Sequence, residues 1–201
     1  MTASAKTTRA AILDQGLDLL SETGLAGVTL GVLAMKVGMS KSGLFAHFRS
    51  NQAVQLALMA HMAEVAGAVA LEPAMAAEPG LTRLTRLVEL WFGWTARAGL
   101  SGGCPVAAAL FELDDMDGEV RAAVLAMERR WRDVLGDLTR EAMVLGDLSP
   151  DLDVDQFVWE LCGVYLSHHA SSRFLKDPAA DRRAAAAFEA LLLRARLAAA
   201  N

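Results

Sequence analysis

The fold turns on residues 29–48, TLGVLAMKVGMSKSGLFAHF. In this stretch Ala34, Gly38 and Leu44 form a small residue, a turn glycine and an apolar anchor, spaced as two short crossed helices require where they touch. Ala34 lets the backbones approach, Gly38 accepts the positive φ of the turn, and Leu44 points back into the core. Thr29 and Ser40 stand where each helix needs an N-cap. The expected structure is a helix-turn-helix whose second helix turns Ser40, Lys41, Ser42, Gly43, Phe45 and His47 outward. That short polar and aromatic face suits the DNA major groove.

On the N-terminal side, Ala11, Ile12, Gln15, Leu19 and Leu20 recur at helical spacing from about Thr8 to Glu22, and Gly24 stops the run. On the C-terminal side a longer helix is expected from Asn51 to about Leu71, followed by the linker-like Glu72, Pro73, Glu78, Pro79 and Gly80. The domain boundary is expected between 56 and 80, giving a helix-turn-helix domain over 1–55 and a larger helical domain over 56–201. Further helices are expected near 81–98, 105–113, 118–145, 153–175 and 179–199.

Composition supports an all-α protein. Ala and Leu supply about a third of the 201 residues while Ile occurs once, at Ile12, a balance that favours helix over strand. Hydrophobic residues at 54% and charged residues at 21% are ordinary globular usage and argue against a disordered chain. The two cysteines, Cys104 and Cys162, lie far apart, and no charged leader precedes an apolar stretch and cleavage site, so a cytoplasmic location with reduced thiols is expected. The weakly polar stretch 56–71 carries His61 and Glu64 and falls short of the ~18 uninterrupted apolar residues of a spanning helix, so no membrane partner is expected.

The net charge of −5 is unevenly spread. Residues 1–55 hold five basic against three acidic side chains, a net +2, whereas the rest of the chain carries −7. A small basic unit joined to a larger acidic one points to nucleic acid as the partner of the first.

From Thr8 to about Met59, with AILDQGLDLLSETGLAGVTL before the deciding stretch and FRSNQAVQLAL after it, the chain resembles the TetR family of one-component transcriptional regulators. The first helix, the Gly24 break, the Thr29 cap, the Gly38 turn and the Phe45 and Phe48 pair all occur in register. The resemblance implies a homodimeric repressor that binds a palindromic operator, with a variable C-terminal domain that dimerises and binds a small molecule. Thr29 would then touch phosphate, and Ser40, Lys41, Ser42, Phe45 and His47 would face DNA. Two positions depart from the family pattern: Phe45 stands where a tyrosine is common, and Asn51 where a lysine is usual. Asn51 is expected to meet a backbone phosphate beside the first N–H groups of the fourth helix.

Most large aromatics fall on the C-terminal helices. Trp91, Trp94, Phe111, Met127, Trp131, Trp159 and Tyr165 are candidates to line an effector site, the alternative being ordinary core packing. Two apolar stripes, Val154, Phe157, Val158, Leu161, Tyr165 and Ala184, Phe188, Leu191, Leu192, Ala195, are expected to form a four-helix dimer interface. The acidic run Asp114, Asp115, Asp117, Glu119 reads as a solvated turn before a helix. His168 and His169 are adjacent and cannot chelate as an i, i+4 pair would.

No nucleophile triad, phosphate loop or metal-ligand spacing stands out, so no enzyme, cofactor or metal is expected. The sequence therefore predicts a ligand-responsive repressor released by a mostly apolar small molecule. The competing reading is a helical small-molecule-binding protein with weak or lost DNA binding, supported by Phe45 and Asn51.

Overall fold

The computed structural model describes residues 3–197, and among them it contains eleven α-helices and no strand. Two compact units share the chain: Met1–Gly67 with Thr95–Glu128, and Ala68–Trp94 with Arg129–Asn201. The sequence expectation placed one boundary; the observed division is discontinuous, because segment 95–128 packs with the N-terminal helices.

In the first unit, α1 (Ala3–Gly27) is interrupted at Gly24, whose φ is 69°. Next come α2 (Leu30–Lys36), α3 (Lys41–His47) and α4 (Asn51–Ala66). Gly38 has a φ of 68°, the conformation that lets the chain reverse between α2 and α3. Ile12, Leu17, Leu20, Val28, Leu33, Leu44, Phe48, Val54, Leu58 and Met59 fill the core among these helices. Farther along the chain, α7 (Trp94–Arg97) is followed by α8 (Pro105–Glu112), which packs on α1, and by the start of α9 (Glu119–Val144).

The expected helix from Asn51 to about Leu71 is less regular than its sequence suggests. It passes from α4 into a π-helical turn at Gly67–Leu71 and then into α5 (Glu72–Met75), where Pro73 in the first turn is accommodated. The run Asn51–Met75 is long and apolar enough to cross a membrane by length and composition. In this fold its Val54, Leu58, Met59 and Met62 serve the core of the first unit.

The second unit contains α5, α6 (Leu81–Trp91), the rest of α9, α10 (Val154–Arg173) and α11 (Ala180–Leu197). The helix expected over 81–98 is broken at Phe92 and Gly93, where glycine weakens helix continuation. At the start of α6, carboxylates from across the unit cap the open N–H groups: Gly80 donates to Glu141 and Leu81 to Asp147, each at 2.9 Å. Arg83 adds a 2.8 Å ion pair to Glu141.

The expected dimer stripes are internal instead. Phe157, Val158, Leu161 and Tyr165 on α10, and Ala184, Phe188, Leu191 and Ala195 on α11, are buried where these two helices pack on each other within one chain. Val154 and Leu192 are half-buried.

Candidate nucleic-acid interface and effector region

The helix-turn-helix is assembled by local caps. Thr29 Oγ1 accepts the N–H of Val32 at 3.2 Å and starts α2, while Ser40 Oγ accepts the N–H of Gly43 at 3.1 Å and starts α3. Between them, Met39 N–H donates to Ala34 O at 2.9 Å and closes the turn. Ser50 Oγ caps α4 through the N–H of Ala53 at 3.0 Å. One contact is not local: Asn51 Oδ1 accepts the N–H of Leu30 at 2.9 Å, pinning the start of α4 to the start of α2.

These caps orient α3. Leu44 is fully buried and Phe48 nearly so, which turns Lys41, Ser42, Phe45 and Ala46 to solvent. At about 100° per residue the four occupy one arc of roughly 140°. Of the sequence candidates, Lys41, Ser42 and Phe45 lie on this arc, with Phe45 53% exposed. Ser40 is exposed beside them, and its hydroxyl lies 3.1 Å from that of Ser42. Gly43 and His47 are half-buried on the opposite side of α3, and Thr29 is half-buried at its cap position.

Two exposed residues were missed. Ala46 completes the arc at positions 41, 42, 45 and 46, so periodicity alone identifies it; Arg49 follows the helix and is also exposed. The other cations nearby serve the fold. The Arg9 guanidinium sits 4.8 Å from the centre of the Phe48 ring, and Lys36 pairs with Asp18 at 3.0 Å and with Glu22 at 3.8 Å. The hydrogen bond from Lys36 to Asp18 raises the lysine pKa above its ordinary value.

In the second unit the structure brings together four of the seven effector candidates. The Trp91 ring stacks on Tyr165 with centroids 4.1 Å apart and meets Trp131 edge-on at 5.1 Å, and Trp94 Nε1 donates to the Tyr165 hydroxyl at 3.2 Å. Phe92, missed in the sequence although it adjoins Trp91, packs on Tyr165 and stacks on His168. His168 in turn bonds Asp181 at 2.7 Å. Burial, more than the positive charge of Arg173, depresses the pKa of neighbouring His169 below its usual value. Within this cluster Trp131 Nε1 is buried without a hydrogen-bond partner.

The other three candidates lie elsewhere. Trp159 is 66% exposed on α10, Phe111 is 68% exposed on α8, and Met127 is half-buried on the part of α9 that belongs to the first unit. Cys104 and Cys162 are both buried. Among the described residues no group of three or more histidine, cysteine or acidic side chains is placed to hold a metal.

Comparison with known proteins agrees with this architecture. Residues 12–58 match the bacterial regulatory proteins of the tetR family, and residues 80–188 match the tetracyclin repressor-like C-terminal domain. The transcriptional regulator AcuR of Cereibacter sphaeroides is 27% identical over 148 residues, covering 72% of this chain and 66% of AcuR, just under two thirds of that relative. A TetR-family regulator from Cytophaga hutchinsonii shares the fold with a TM-score of 0.83 at 18% identity, over 98% of each chain. AibR, solved with isovaleryl coenzyme A and operator DNA, shares it with a TM-score of 0.67 at 21% identity, over 89% of this chain and 96% of AibR. With a family match over more than half its length and a helix-turn-helix in register, the chain belongs to the TetR family of transcriptional regulators.

Proposed function

We propose that this protein is a ligand-responsive repressor that binds a palindromic operator as a homodimer through its N-terminal domain of about 55 residues, in the cytoplasm and without enzymatic activity. The observation that carries this reading is the exposed arc of α3, Lys41, Ser42, Phe45 and Ala46, held outward by the Ser40 cap and the buried Leu44. A recognition helix needs such a face, and Phe45 is left 53% exposed on it. Exposed Lys41 and Arg49 supply charge for phosphate, while Thr29 retains a hydroxyl proton to donate. Replacing Lys41, Ser42 and Phe45 together by Ala should abolish the mobility shift of the protein's own upstream DNA. An unchanged affinity in that variant would end the assignment.

The effector is a mostly apolar molecule carrying one hydrogen-bond acceptor. Support comes from the cluster of Trp91, Trp94, Trp131 and Tyr165, and from the buried Trp131 N–H, which gains a bond only from a partner outside the chain's own side chains. To release operator the effector must favour the DNA-free conformation, and a coupling of about 1–3 kcal/mol corresponds to roughly 5–150-fold in operator affinity. Trp131→Phe keeps the aromatic packing and removes the donor. Effector-dependent quenching of tryptophan fluorescence should then need about tenfold more effector, as expected for a lost hydrogen bond of about 1.4 kcal/mol. Unchanged affinity would place the effector elsewhere.

A further inference from the structure

We infer that the middle of α3 reads thymine methyl groups, with Phe45 as the specificity-determining residue and Ala46 beside it. The inference rests on the operator-binding function proposed above. The helix sequence KSGLFAH contains no Arg, Asn or Gln, the side chains best suited to bidentate contacts with guanine or adenine edges. On the exposed arc, hydrogen-bonding side chains are only those of Lys41 and Ser42 at the start of the helix, and the Ser42 hydroxyl already lies 3.1 Å from that of Ser40. One turn further along, the same arc presents carbon only: the Phe45 ring, 53% exposed, and the Ala46 methyl.

An aromatic ring left half in water on a short helix gains free energy only when something apolar covers it. In the major groove the apolar group on a base edge is the thymine C5-methyl, for which Phe and Ala are fitting partners. Cations bracket the apolar pair, Lys41 on one side and Arg49 on the other, both exposed. They match the phosphates that line the groove and hold the ring against its floor. A tyrosine at position 45 would add a hydroxyl able to reach phosphate; phenylalanine leaves the ring with its faces and edges alone.

The test uses the full-length protein and a duplex selected from random DNA by its own binding. Each thymine of that duplex is replaced in turn by uracil, which removes the methyl and keeps every hydrogen-bonding group. Burying one methyl corresponds to about fourfold in affinity, so uracil at the contacted position should weaken binding about fourfold, and roughly sixteenfold when both half-sites are changed. In Phe45→Ala the same uracil duplexes should bind like their thymine parents, whereas Phe45→Leu should keep part of the sensitivity. A flat uracil profile with tight binding to the selected duplex would overturn the inference while leaving the operator function intact. Undiminished uracil sensitivity in Phe45→Ala would also overturn it. Failure to select any duplex would remove the operator-binding function and the inference together.

Discussion

Asn51 has two possible employments, and its geometry favours one of them for the side-chain oxygen. That oxygen accepts the N–H of Leu30 at 2.9 Å, one of the open donors at the start of α2. Asn51→Ala should therefore lower stability by about 1–2 kcal/mol in urea unfolding, because a part-buried N–H loses its acceptor. Asn51→Lys restores the residue common in the family but carries no acceptor, so it should show the same loss. If α4 also lies against a phosphate, that variant should steepen the salt dependence of DNA binding by roughly 0.9 per added contact, about 2 for a dimer. Loss of stability without a steeper slope would make Asn51 a purely structural residue. The caps at Thr29 and Ser40 were legible because each bond spans three residues. Asn51 was read as a phosphate ligand because its partner lies 21 residues away, a pairing that only the folded chain creates.

At the scale of elements, the loop before α8 is fastened to α1 by its backbone. Ser101 N–H donates to Asp18 at 2.9 Å, Gly102 N–H to Ser21 Oγ at 2.9 Å, and Gly103 N–H to Ser21 O at 2.9 Å. A Cβ on Gly102 would fall only 1.9 Å from the Ser21 carbonyl oxygen, so Gly102→Ala must push the loop off α1 and should cost about 2 kcal/mol through two lost hydrogen bonds. Asp18 also pairs with Lys36 of α2, so one carboxylate joins two helices and the loop. The Ser101 N–H and then Lys36 hold its pKa below the ordinary aspartate value. A depressed carboxylate pKa contributes stability that is present above the unfolded value and lost as pH falls through the folded one. Asp18→Asn should accordingly be less stable than the parent at pH 7, and the gap should close below about pH 3.8. A gap independent of pH would show that the ionised carboxylate is unimportant. Ser101, Gly102 and Gly103 read in the sequence as a mere separator; glycine marks a turn as readily as a close approach, and the helix it approaches lies some 81 residues earlier.

For the whole molecule, the burial of both expected dimer stripes leaves those residues no open face to offer a second copy. Apolar periodicity reveals that a helix face is buried, but the same stripe serves a neighbouring helix or a second copy equally well, and here α10 and α11 cover each other. What remains outward includes Trp159 at 66% exposure and Leu193 at 59%. The ion pair between their chain neighbours Glu160 and Arg194 sets these two side chains at one level of the helix pair. Gly163 and Ala190, also exposed, leave room for another backbone to approach. An indole this open on a helix flanked by small residues is costly in a monomer and well suited to the centre of a self-complementary interface. Trp159→Asp should then convert a dimer into a monomer by light scattering at micromolar concentration. It should leave helix content unchanged, because Trp159 lies largely in solvent and outside the buried core. Operator affinity should fall by orders of magnitude, since each head would bind its half-site without the high effective concentration that linkage to the other provides. If Trp159→Asp stays dimeric while the combined Lys41, Ser42 and Phe45 variant loses DNA, the operator reading survives and the interface lies on another face.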